Sequence, residues 1–171
     1  MPITKATPAD AAELTVLINS AYRGASSQQG WTSEAHLLDG IRIDESTMLE
    51  YLRAGDTTIL KYTNEEGSIL ACVYLEIRDG NRLYLGMLTV SPTLQANGIG
   101  RQLLHEAEIW ATKLGCPHIF MTVITTRHEL IAWYQRRGYR NTGKTQPFPT
   151  DTKFGVIKND PIELVVLEKE V

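Results

Sequence analysis

Only two cysteines, Cys72 and Cys116, occur in the 171 residues, and they stand far apart. That excludes a disulfide framework, and with no basic and apolar signal segment before them the expectation is a reduced, cytoplasmic protein. No run approaches the roughly 18 apolar residues that a membrane helix needs, and no Asn-x-Ser/Thr site suggests secretion, so no membrane partner is expected. The four histidines, His36, His105, His118 and His128, lack metal-ligand spacing, and His105-Glu106 lacks the second histidine of a zinc-binding helix. No metal is implied. Low-complexity tracts and internal repeats are also missing, which excludes fibrous and disordered classes.

What is there suits one α/β domain spanning 1–171, since 43% of the residues are apolar and 22% charged. The formal charge of −3 argues against a nucleic-acid partner. It conceals a gradient. Residues 1–94 hold 7 basic and 12 acidic side chains, whereas residues 95–140 hold 6 basic and 3 acidic ones. A compact basic segment in an acidic chain points to an anionic ligand.

The pattern predicts a first strand at Ile3 to Ala6, then a helix capped by Thr7-Pro8-Ala9-Asp10 with Leu14, Leu17, Ile18 and Ala21 on one face. A Gly, Ser and Gln-rich loop from Tyr22 to Gly40 follows, and a second helix capped by Asp44 runs to about Arg53. Three strands, 57–63, 68–78 and 82–90, separated by good turn chemistry, predict an antiparallel meander. Ile99, Leu103, Ala107, Trp110 and Leu114 give a long amphipathic helix closed by Gly115. A strand at 118–124, a helix at 129–137 and strands at 139–144 and 162–168 complete the chain. This order implies a mixed central sheet of about seven strands flanked by about four helices, antiparallel at first and parallel where helix 98–114 joins strand 82–90 to strand 118–124.

The segment Gln95-Ala96-Asn97-Gly98-Ile99-Gly100-Arg101 links a strand to a helix start with two glycines spaced by one residue. Its physics is that of an anion cradle: glycine removes the Cβ that blocks close approach, successive N–H groups converge, and the helix dipole adds roughly half a positive charge. No Gly-Lys-Ser/Thr follows, and position 103 is Leu rather than a third glycine, so neither the P-loop nor the dinucleotide fingerprint applies.

The cradle follows a strand ending Met87-Leu88-Thr89-Val90-Ser91-Pro92 and precedes Tyr134-Gln135-Arg136-Arg137-Gly138-Tyr139. Together these resemble the GNAT superfamily of N-acetyltransferases, with its Val-x-Pro strand end, its Gln/Arg-x-x-Gly-x-Gly/Ala loop and its Tyr-x-x-x-Gly-Phe/Tyr helix end. The resemblance covers residues 2–168, with the specific motifs in 83–139. It implies a single-domain GNAT-like fold and acetyl-CoA as co-substrate, with the diphosphate on the amides of Gln95, Ala96, Asn97, Gly98, Ile99, Gly100 and Arg101. The pantetheine arm would run beside Leu88, Thr89 and Val90, where strands 82–90 and 118–124 splay. Arg101, Arg127, Arg136 and Arg137 are candidates for outer phosphate contacts, the alternative being solvated surface arginines, and only Arg101 is counted with the loop.

The resemblance also implies that Tyr134 protonates the leaving thiolate, the alternative being a core aromatic beside Leu130 and Trp133. Many members carry Asn seven residues before this tyrosine, where Arg127 stands here. Strand 82–90 has no carboxylate, which leaves Glu76 as the proposed base, sharing a face with Cys72 and Tyr74; an ion pair with Arg78 or Arg82 is its structural alternative. Glu34 and Asp39 are further candidates. Cys116, although two residues before His118, reads as a strand entrance rather than a nucleophile. Trp31, Tyr22 and Phe148 with Glu34, Asp39 and Asp44 suit a small cationic amine. A protein N-terminus or lysine is the alternative acceptor, and a non-catalytic acyl-CoA sensor the alternative function. Many relatives form dimers, so a homodimer is open.

Overall fold

The computed structural model describes residues 2–22, 38–39, 43–94, 97–147, 156–157 and 163–171. The chain runs β1 (Ile3–Lys5), a 3-10 turn at Pro8–Asp10, α1 (Ala11–Tyr22), β2 (Leu38–Asp39), α2 (Glu45–Arg53), β3 (Thr57–Thr63), β4 (Ile69–Arg78) and β5 (Arg82–Val90). It continues with a 3-10 turn at Pro92–Leu94, α3 (Ile99–Lys113), β6 (His118–Ile124), α4 (His128–Gln135), β7 (Arg140–Pro147), β8 (Val156–Ile157) and β9 (Glu163–Glu170). Seven strands form one mixed sheet in the order β1-β3-β4-β5-β6-β9-β7. The meander β3-β4-β5 is antiparallel and the β5-α3-β6 unit parallel, as the sequence implies.

Local chemistry sets the entries. At the first helix, the Thr7 N–H donates to Asp10 Oδ2 (2.9 Å) and the Asp10 N–H to the Thr7 carbonyl (2.9 Å). Asp44 caps α2 by accepting from the Thr47 N–H at 2.8 Å, so this carboxylate is engaged as a cap. Asn19 clamps the chain where it re-enters before α2, donating to the Ile43 carbonyl (2.8 Å) and accepting from its N–H (3.1 Å).

Two differences from the sequence reading concern pairing. β2 and β8 form a separate two-residue ladder, too short to carry a periodic signal. β7 extends to Pro147 because β9 offers partners for Thr145, Gln146 and Pro147 beyond a register shift after Asn141. Pro147 is tolerated there as a strand end.

Strand alternation divides the core. Val73, Leu75, Leu83, Leu85, Ile119, Met121 and Leu167 pack with Leu103, Leu104, Ala107 and Ala111 of α3 on one face. Ile59, Cys72 and Tyr74 pack with Leu14, Leu17 and Ile18 of α1 and Met48 of α2 on the other. β4 therefore reads as apolar in both registers because both of its faces are covered. Among the described residues, no helix is long and apolar enough to cross a membrane.

Candidate active site

β5 is the axis of the site. Its first three residues pair with β6 as Arg82 with His118, Leu83 with Ile119 and Tyr84 with Phe120, and the parallel ladder ends there. β6 goes on to Ile124 with β9 at its other edge, and β5 goes on to Val90 with β4. Two neighbouring strands thus stop sharing a ladder after three residue pairs, which matches the splay that the resemblance implies.

A β-bulge lies just beyond that point. Cys72 faces Thr89 and Tyr74 faces Gly86, so Met87 and Leu88 together oppose the single residue Val73. Met87 adopts a left-handed φ of 48°, a conformation that costs a non-glycine residue about 1 kcal/mol. The Thr89 hydroxyl fastens the bulge by donating to the Met87 carbonyl at 2.8 Å. Bulges re-aim a strand, and this one turns the backbone of Leu88, Thr89 and Val90 beside the splay.

The chain then turns through Pro92–Leu94, passes Gln95 and Ala96, which lie outside the described residues, and enters α3. Gly98 caps the helix with φ 81°, a value that itself demands glycine. The first intrahelical bond is Gln102 N–H to the Gly98 carbonyl (3.1 Å), which leaves the amides of Ile99, Gly100 and Arg101 with no intrahelical acceptor. Gly100 differs. A Cβ there would stand 3.5 Å from Val90 Cγ2 and 3.8 Å from Trp133 Cζ2, which are ordinary contacts. Neither packing nor backbone conformation therefore demands glycine at 100.

Arginines gather beside this end. Arg137 lies 4.0 Å over the Trp133 ring and donates from Nη1 to the Trp133 carbonyl at 2.8 Å, while its buried Nε has no hydrogen-bond partner. Burial, together with the positive charges of Arg136 and Arg101, holds the Arg137 guanidinium below its usual range. Like charges brought together at a helix N-terminus favour a polyanion. The donor set, the cradle and the charge all fit the phosphates of a coenzyme A thioester.

Tyr134 is buried, 5% exposed, with its ring edge-on to Trp133 (5.0 Å) and Tyr139 (5.7 Å). It lies in the same large core cluster as Ile99, against which Leu88, Val90 and Leu94 pack, and its neighbour Trp133 comes within 3.8 Å of where a Cβ on Gly100 would stand. Its neighbour Tyr139 is fixed by donating to Glu108 (3.1 Å), which Lys169 also holds (3.0 Å). Arg127 is buried at the start of α4, its N–H donating to the Ile124 carbonyl at 2.9 Å.

Glu76 lies across the sheet from Tyr134. It stands opposite Thr57 and Tyr84, on the face of Cys72 and Tyr74 as expected, and is ion-paired with Arg78. Burial raises the Tyr74 phenol well above its ordinary value; a hydrogen bond with Thr57 opposes this and the charge of Glu76 adds to it. Trp31, Glu34 and Phe148, and the side chains of Tyr22 and Asp39, lie outside the described residues. Cys72 and Cys116 are both free and buried, and burial raises both thiols. Among the described residues, no three His, Cys, Asp or Glu side chains cluster as metal ligands.

Sequence reasoning missed the bulge and the aromatic chain Tyr51, Tyr74, Tyr84 and Phe120, whose successive centroids are 4.8, 6.1 and 5.5 Å apart. Gly86 inside a strand was the available signal.

The family described as the acetyltransferase (GNAT) family matches residues 26–139. No curated protein matches the chain. Among solved structures, a GNAT-family acetyltransferase from Streptococcus pneumoniae is 24% identical with a TM-score of 0.72, over 99% of this chain and 98% of that one. A ribosomal-protein-alanine N-acetyltransferase from Brucella melitensis is 17% identical with a TM-score of 0.73, over the whole of both chains. A nourseothricin acetyltransferase is 18% identical with a TM-score of 0.56, over 68% of this chain and 66% of that one.

Proposed function

Because the chain belongs to the acetyltransferase (GNAT) family, and is thus an acetyl-CoA-dependent acyltransferase, we propose that it acetylates a primary amine of a small molecule by direct attack on the thioester. The observation that carries this reading is the meeting of the splay at Tyr84 and Phe120, the bulge at Met87 and the open amides of α3 along one short path. The amides of Ile99, Gly100 and Arg101 receive the diphosphate, with Arg137 as an outer contact. The backbone of Leu88, Thr89 and Val90 aligns the pantetheine arm, whose amides pair as a strand does.

The amine nitrogen forms a bond to the thioester carbonyl carbon, and the carbon–sulfur bond breaks. Tyr134 supplies a proton to the departing sulfur. On the opposite face, Glu76 draws the surplus amine proton away through water. The acidic balance of residues 1–94 supports a cationic amine as acceptor, and the free buried thiols of Cys72 and Cys116 suit the reducing cytoplasm.

Thiol release from acetyl-CoA tests this with putrescine, glucosamine, lysine and a peptide bearing N-terminal alanine. Steady turnover on one of the three small amines is expected. Turnover on the peptide alone would move the acceptor to proteins, and acetyl-CoA binding without turnover on any of the four would overturn the reading.

A further inference from the structure

We propose that Tyr84 receives the attacking amine: its phenol oxygen accepts a hydrogen bond from the amine N–H and so aims the nitrogen at the thioester carbonyl. This rests on the acyl-transfer reading above. Tyr84 is the last residue of β5 in the parallel ladder with β6, so its side chain stands where the splay opens. The adjacent Gly86 shows which way the ring lies. A Cβ at that position would be 2.8 Å from Tyr84 Cε2, 3.1 Å from its hydroxyl oxygen and 3.2 Å from Cζ. The shortest of these is closer than real Cβ atoms come, so a side chain at 86 would push the far end of the ring aside. The outer half of the ring therefore lies along the strand over Gly86, with the hydroxyl advanced toward the bulge at Met87 and not out across the sheet.

The ring is held firmly. The Arg78 guanidinium carbon sits 3.8 Å from its centroid, and Tyr74 and Phe120 meet it edge-on at 6.1 and 5.5 Å. Glu76 in turn holds Arg78. Among the described residues, the hydroxyl itself has no hydrogen-bond partner. The hydroxyl lies over Gly86, beside the point where the ladder between β5 and β6 ends, and the glycine makes room for it. Because Arg78 already occupies a face of the ring, a cationic acceptor is met by the oxygen and not by the π-cloud. Tyr84 keeps its own proton throughout; it orients the nitrogen, and this is worth rate because attack requires alignment.

The test is steady-state kinetics of the whole chain on the best of the four amines above, with Tyr84→Phe, Gly86→Ala and the double variant. Tyr84→Phe keeps the ring, the Arg78 contact and the packing. It is expected to raise the KM for the amine about tenfold while the KM for acetyl-CoA and the melting temperature stay as in the wild type. Gly86→Ala is expected to displace the ring with a similar loss, and the double variant to lose little more than either alone, since both act on one hydroxyl. A wild-type amine KM in Tyr84→Phe, or fully additive losses in the double variant, would overturn the assignment while leaving acyl transfer intact. No turnover by the wild-type chain on any of the four amines removes the reading of a primary-amine acceptor instead, and the role of Tyr84 with it.

Discussion

The two ends of β5 are built from different materials. At the Leu88–Val90 end, and on into α3, the site is made of main chain: amides without intrahelical acceptors, a left-handed Gly98, and a Gly100 that leaves room. At the Arg82–Tyr84 end it is made of side chains brought from three strands, with Glu76 and Arg78 from β4, Tyr84 from β5 and Phe120 from β6. A backbone site tolerates change in most side chains and fails only where geometry is unusual. A side-chain site is rebuilt by single substitutions, which suits the half proposed to receive the acceptor. Acetyltransferases with such different named acceptors as a ribosomal protein and nourseothricin share this architecture, so the fold by itself does not select the acceptor.

The largest effect should come from the residue where the ends meet chemically. Tyr134→Phe removes a proton donor and no packing, so kcat should fall about 100-fold, the lower range for loss of a general acid, with both KM values and the melting temperature little changed. Steady-state kinetics with a thermal melt checks this. An unchanged kcat returns Tyr134 to the role of a core aromatic edge-on to Trp133 and Tyr139.

A second pair of variants separates fold from ligand at the main-chain end. Gly98→Val forces a β-branched residue to a φ of 81° and should cost both stability and about tenfold or more in acetyl-CoA affinity. Gly100→Ala meets only ordinary contacts and has the better helix propensity, by up to about 1 kcal/mol, so the protein should melt no lower while its affinity for acetyl-CoA falls. Calorimetric titration beside thermal melts reads both. Equal affinity in Gly100→Ala and wild type would mean that the coenzyme does not approach the first turn of α3.

That difference in material also decided what was legible in the sequence. Every helix and all seven strands of the main sheet could be read, because periods of 3.6 and 2 extend over enough residues to be counted. The glycine start of α3 was legible because glycine spacing after a strand is a local signal. The bulge was not, since Met87 is no marker of a left-handed φ. The Arg82–Tyr84 end was half legible. Alternation placed Glu76 with Cys72 and Tyr74, but Glu76 meets Tyr84 only through strand register, and register between β4 and β5 shifts at the bulge. Arg137 was visible as a charge, yet its seat on Trp133 beside Gly100 depends on how α4 packs against α3.

The smallest effect lies at the seam between the two ends, where Cys72 of β4 stands opposite Thr89 of the bulge. Burial holds its thiol up to about 12 from an ordinary 9.0, with a hydrogen bond to Thr89 opposing the rise. A thiol that stays neutral when folded but ionises when unfolded contributes its full stability below pH 9. That contribution is lost as the pH rises from 9 towards 12, by at most about 1.4 kcal/mol per pH unit. Urea unfolding at pH 7 and pH 10 should therefore show a lower midpoint at pH 10, and the drop should be smaller in Cys72→Ala than in the wild type. Comparing the drop within each protein cancels the packing lost with the sulfur, which weighs equally at both pH values. Buried Tyr74 and Tyr139 are also raised and add to the decline above about pH 10, so part of it should survive the substitution. If instead Cys72→Ala loses as much stability as the wild type between pH 7 and pH 10, the thiol is not sealed beneath the bulge, and the main-chain end of β5 is looser than its hydrogen bond from Thr89 to Met87 implies.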